Sequence, residues 1–216
     1  MPQTIWIARH GNRIDFVNPD WFLSAEKRYD PHLSDDGHIQ AKQLAKRLAG
    51  ENISHIFASP FLRTVQTANH VAQILDLSIK LEWGLCEWLN PAWMSEMPET
   101  RSIEDLCHNF PRIDPSYQSY TGGIPNYPES EAECLKRTGE TARKLAINFP
   151  QDILLVGHGA SVIGTTMGLV KGVTETEINS SLCCLVKVVY TQEEWIMELN
   201  GDISHLSKVE AEIRFN

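Results

Sequence analysis

Short apolar, β-prone runs alternate with amphipathic helical stretches along most of this chain, and that alternation restricts the fold more than any other feature. "TIWIAR" (4–9), "ISHIFAS" (53–59), "SIKLEW" (78–83) and "DILLVG" (152–157) each have the length and residue types of a buried strand. "LSDDGHIQAKQLAKRLAG" predicts a helix. Ser34 is its N-cap, Asp35 and Asp36 favour its first turn, and Ala41, Leu44, Ala45 and Leu48 repeat at helical spacing before Gly50. A second helix is expected from Ser59-Pro60, read as cap and first-turn proline, with Leu62, Val65, Ala68, Ala72 and Leu75 on one face. "ESEAECLKRTGETARKLAINF" and "ASVIGTTMGLV" supply two more helices. "LCCLVKVVYT" and "EEWIMEL" read as a closing strand pair at a sheet edge. Such an order predicts an α/β fold with a mostly parallel sheet flanked by helices.

With 216 residues the chain suits one core and is short for two, so a single domain over 1–216 is expected. Residues 88–128 break the rhythm with six prolines, two tryptophans and three tyrosines. The aromatics argue for packing, so this stretch is expected to form a cap over the sheet together with 14–32. "NPDW" (18–21) and "NPAW" (90–93) echo each other but are too short to be a repeat. A formal net charge of −9 argues against nucleic acid and anionic membranes as partners. The five cysteines have no metal or disulfide spacing, which fits reduced thiols in the cytoplasm. Neither a secretory signal nor a run of membrane-spanning length is visible.

The charged residues carry the chemistry. Ligands of open α/β sheets bind at the carboxyl ends of the strands. Arg9 and His10 end the first strand, with Arg13 just beyond; Ser59 ends the second and Arg63 follows in the next helix. Glu87 follows the third strand, and His158 ends the fourth between two glycines. Three arginines and two histidines at one edge suit a dianion, because the guanidinium fork pairs two phosphate oxygens and a helix start adds free N–H groups. The Gly-rich phosphate loop, a C-x5-R cysteine-phosphatase pattern and metal-ligand spacing are all absent. A neutral imidazole remains as the candidate nucleophile.

"RHGNR", "SPFLRTVQTA", "CEW" and "GHGAS", together with "DPHLSDDGHIQA", resemble the histidine phosphatase superfamily, whose founder is the cofactor-dependent phosphoglycerate mutase. The long cap, "RHGNRIDF" and "GLCEW" look most like the branch of the T-cell suppressor (TULA or Sts type) phosphatases. The resemblance implies a three-layer α/β/α sandwich, phosphoglycerate mutase-like, with an inserted cap. It implies His10 as the nucleophile of a phosphohistidine intermediate. Arg9, Arg63 and His158 would hold the phosphoryl group, and Arg13 would be an additional phosphate-binding arginine. Glu87 would protonate the leaving oxygen and then activate water, with Trp83 and Trp88 supplying the apolar surroundings that raise its pKa. The expected activity is a metal-independent, cofactor-free phosphomonoesterase acting on a phosphorylated small molecule or a phosphotyrosine-like substrate. Phosphoglycerate mutase-type transfer and a non-catalytic phosphate-binding module are the alternatives. Blander readings apply elsewhere. Ser59 is read as a helix cap, the other six histidines as surface or structural groups, and Cys183-Cys184 as buried packing. The closing strand pair is an edge at which two copies can join as a homodimer.

Overall fold

The computed structural model describes residues 2–18 and 20–207. Pro19 of "NPDW" and the two ends of the expected 1–216 domain lie outside the described residues. Six strands form one sheet: β1 (Gln3–Arg9), β2 (His55–Ala58), β3 (Ile79–Leu81), β4 (Ile153–Gly157), β5 (Leu185–Thr191) and β6 (Glu194–Asp202), in the order β3-β2-β4-β1-β5-β6. The first four run parallel, whereas β5 is antiparallel to β1 and β6 to β5. Seven α-helices accompany them among the described residues: α1 (Ile14–Val17), α2 (Trp21–Ser24), α3 (Asp35–Leu48), α4 (Leu62–Leu75), α5 (Ile103–Asn109), α6 (Glu131–Asn148) and α7 (Gly159–Leu169). None is long and apolar enough to cross a membrane.

Alternation along each strand divides the core in two. Trp6, Ala8, Ile56, Ala58, Leu154 and Val156 point to one face and join Leu44, Leu48, Val65 and Ala68 of α3 and α4. Ile5, Ile7, Phe57, Ile153 and Leu155 point to the other and join Ala142, Leu145 and Val162 of α6 and α7. A period of two residues per pleat makes this division automatic. The three layers are therefore α3 and α4, the sheet, and α6 and α7. Gly139 of α6 and Gly168 of α7 let these two helices touch: a Cβ on Gly168 would lie 2.3 Å from the Gly139 Cα.

Two local expectations are corrected. Helix α4 starts at Leu62, so Ser59 and Pro60 precede it, and its flanking Phe61 offers no side-chain cap. The Leu62 N–H instead donates to Asp30 Oδ1 at 2.7 Å, a carboxylate 32 residues away in sequence. Part of the 88–128 stretch also runs along the sheet edge. Ile113 bridges Ile79 of β3 in parallel, with hydrogen bonds of 2.8 Å on either side. Leu106 and Ile113 belong to the first core and Tyr117 packs on the second. Met94, Leu89, Cys86 and Phe61 form a third cluster, against which Tyr29, Trp83 and Tyr127 pack.

Candidate active site

Arg9 closes β1 and His10 is the first residue beyond it. The His10 backbone is held on both sides: its N–H donates to Gly157 O and its carbonyl accepts from Cys183 N–H, each at 3.0 Å. The loop that follows rests on the "DPHLSDDGHIQ" segment. Ser34 N–H donates to Asn12 O at 3.0 Å, and Asn12 N–H donates to Gln40 Oε1 at 2.7 Å. Ser34 also caps α3 by accepting from Gly37 N–H. A Cβ at Gly37 would sit 2.1 Å from the Asn12 carbonyl oxygen, so only glycine admits this approach.

Within this frame the His10 ring is fixed as one tautomer. Nδ1–H donates to the Gly11 carbonyl at 2.7 Å, because a carbonyl can only accept. Nε2 therefore carries the lone pair, and it is buried without a partner. Arg9 Nε and Arg63 Nε and Nη1 are buried and unpartnered as well. Buried polar atoms are nearly always hydrogen-bonded, so a lone pair and three unpaired guanidinium atoms suit an anionic ligand. Arg9 is anchored through Nη1 to Ser180 O at 2.7 Å. Arg63, in the first turn of α4, is fully enclosed and donates from Nη2 to Glu87 Oε2 at 3.3 Å.

His158 is the N-cap residue of α7 and faces His10 edge-on, with ring centroids 5.3 Å apart. Its Nδ1 lies 3.1 Å from Arg63 Nη2 and 3.3 Å from Glu87 Oε2, and its Nε2 lies 2.9 Å from Ser59 Oγ. Ser59 thus orients a histidine rather than capping a helix. Arg9, His10, Arg63, Glu87 and His158 converge. Arg13 stands at the rim, paired through its fork with Asp15 and lying 4.3 Å above the Phe16 ring.

Burial and positive neighbours set the charges. Burial pushes the His10 imidazole well below its usual value, and Arg63, His158, Arg9 and Arg13 push it further. It is therefore neutral and nucleophilic near pH 7. Burial likewise lowers His158 to about 4, with Glu87 opposing and Arg63 assisting. Burial alone would raise the Glu87 carboxyl, but His158 and Arg63 hold it well below the carboxylate range. The expectation of a raised Glu87 is thus reversed. Trp88 stacks edge-on with Trp93, and the carboxylate faces the Arg63 guanidinium instead. Arg63 falls to about 10 through burial and Arg13, against Glu87, Asp30 and Asp15, and stays charged.

His10, Glu87 and His158 are the one metal-ligand grouping among the described residues, with donor atoms within 4.8 Å of one another. The Arg63 guanidinium sits against two of the three, so the surroundings repel a cation and attract an anion.

Residues 5–203 match the family model of the histidine phosphatase superfamily, branch 1. The chain belongs to that superfamily. Within it the chain is similar to a probable mutase and to a phosphatase of known structure. It is 30% identical to a probable phosphoglycerate mutase GpmB of Escherichia fergusonii, over 94% of each chain. It is 27% identical to the transcription factor tau 55 kDa subunit of Saccharomyces cerevisiae, covering 96% of this chain and 57% of the yeast protein. It is 32% identical to human ubiquitin-associated and SH3 domain-containing protein A, over 77% of this chain and only 31% of that protein. The ecdysone phosphate phosphatase of the silkworm (Bombix mori), solved with tungstate, superposes with a TM-score of 0.76 at 21% identity, covering 99% of this chain and 98% of that one. This member of the superfamily thus shares its fold with a structurally characterised phosphatase.

Proposed function

We propose that this chain is a metal-independent phosphomonoesterase that works through a phosphohistidine on His10. The observation that carries the reading is the unpartnered His10 Nε2 lone pair beside unpaired guanidinium atoms of Arg9 and Arg63. In the first step Nε2 attacks phosphorus, the bond from phosphorus to the ester oxygen breaks, and the leaving oxygen takes a proton from Glu87. Arg9, Arg63 and His158 hold the charge on the phosphoryl oxygens, and Arg13 adds a further cation at the entrance. In the second step Glu87 accepts a proton from water as its oxygen attacks phosphorus, releasing phosphate and restoring the neutral imidazole. Glu87 takes up its proton from solvent as the substrate binds. A phosphate dianion pairs with Arg63, the cation that holds Glu87 ionised, and adds negative charge beside the carboxylate. Small or aryl monoesters fit best, since Phe16 under Arg13 offers a ring surface at the rim.

The near full-length similarity to a probable phosphoglycerate mutase favours a second reading, in which the phosphohistidine returns its phosphoryl group to the product. One assay separates the two. Over a broad panel of phosphomonoesters, the phosphatase releases inorganic phosphate, whereas a mutase isomerises phosphoglycerate with little release. His10→Ala lowers phosphate release by about 10⁴-fold or more. A chelator leaves the rate unchanged. Loss of activity with chelator and recovery with added metal would refute the mechanism.

A further inference from the structure

The contacts that hold the Glu87 carboxylate within the site are long, at 3.3 Å to both Arg63 and His158, so its placement depends on the backbone that carries it. That backbone is gripped from behind. Arg137 of α6 donates from Nη1 to Gly84 O at 3.0 Å and to Cys86 O at 3.2 Å, and from Nη2 to Glu87 O at 3.3 Å. Its remaining donors, Nε and Nη2, form a fork to the two carboxylate oxygens of Glu129, each at 2.7 Å. All five guanidinium N–H groups therefore have an acceptor. Glu129 closes the other side of the loop. Its carbonyl accepts from Trp88 Nε1 at 2.8 Å, and its N–H donates to Leu89 O at 3.0 Å. The ion pair is nearly enclosed, with side-chain exposures of 11% for Arg137 and 6% for Glu129.

We infer that the Glu129–Arg137 pair is a positioning device for Glu87, fixing the 84–89 loop so that the carboxyl meets the leaving oxygen. The inference rests on the phosphatase reading above. Arg137 touches neither substrate nor the reacting atoms in that reading; it acts through the three carbonyls it binds. A planar fork with five donors suits this task, and an ammonium with three does not.

The test uses the leaving group. Proton donation matters for a poor leaving group such as an alkoxide and little for an activated aryl oxide. The panel above supplies the best alkyl and the best activated aryl substrate. kcat/KM reports the cleavage step for each, in wild type and in a Glu129→Gln/Arg137→Gln variant that leaves no uncompensated buried charge. A burst of trapped phosphoenzyme counts competent sites, so misfolded protein is corrected for. General-acid catalysis contributes about 10²–10⁴-fold, so the variant is expected to lose about 10-fold or more on the alkyl ester and under about 3-fold on the aryl ester. Arg137→Lys is expected to show the same split, and Glu129→Asp to recover part of it. Equal losses per competent site on both substrates, or no loss on either, overturn the positioning role. If the double variant yields no competent sites, Arg137→Lys decides by the same criterion. A wild type inert towards every monoester, or a His10→Ala variant as active as wild type, instead overturns the phosphatase reading and this inference with it.

Discussion

The nucleophilic role proposed for His10 rests on the residue next to it. The Gly11 carbonyl takes the Nδ1 proton, so Nε2 faces the arginines as a free lone pair, and burial keeps the ring from protonating. Nitrogen NMR of the ¹⁵N-histidine-labelled protein should therefore show His10 as the neutral Nδ1–H tautomer at pH 6, where an ordinary imidazole is mostly charged. A His10 ring titrating near 6.5 would contradict this. The covalent intermediate should be acid-labile and base-stable; a base-labile label would mean an acyl phosphate on a carboxylate. At this scale the sequence was informative about position and silent about charge. Arg9, His10, Arg63 and His158 meet because strand ends of a parallel sheet meet, and that much follows from hydrophobic pattern. The charge of Glu87 is set by Arg63 and His158, which come from two other elements, and its tryptophan neighbours in sequence do not decide it.

Among the elements, strands were legible because a sheet covered on both faces makes each of them a short, continuous apolar run. The start of α4 was not. "SP" is a good local helix signal, but the cap is Asp30, far away in sequence, and Ser59 is used by His158. The edge pairing of Ile113 with Ile79 was hidden for the same reason, since a single bridge leaves no periodic trace. Arg137 could be placed on a helix but not linked to Glu87. The α6–α7 contact carries a further prediction. Gly168→Ala places a Cβ 2.3 Å from one backbone atom and 2.7 Å from the Gly139 oxygen, so the two helices must separate. The expected cost is about 1–3 kcal/mol, measured by denaturant unfolding. Because His158 is the N-cap residue of α7 and α6 carries Arg137, activity per folded molecule should fall as well. An unchanged midpoint would show that the helices can slide apart freely.

For the molecule as a whole, neutral buried histidines make stability depend on pH. His10 and His158 are held below the unfolded value of 6.5, the latter at about 4, and His70, stacked edge-on with His38, is also near 4. Between those values and 6.5 the unfolded chain binds more protons than the folded one. Stability is therefore complete above about pH 6.5 and declines as pH falls, by at most about 1.4 kcal/mol per pH unit for each group. Glu87, held low, adds a further loss below its unfolded value of 4.5. Tm should be level from pH 7 to 8 and drop steadily from 6.5 to 4.5; a flat profile would mean that these rings are charged in the fold. The sheet order has a last consequence. The two histidines leave from β1 and β4, adjacent strands in the interior of the sheet, and the His10 amide donates to the Gly157 carbonyl across that seam. Fraying of β3 or β6 at the sheet edges leaves that seam covered on both sides. The His10 amide should therefore be among the slowest in the chain to take up deuterium, slower than the amides of β3 and β6; fast exchange there would show that the two histidines can part while the sheet edges hold.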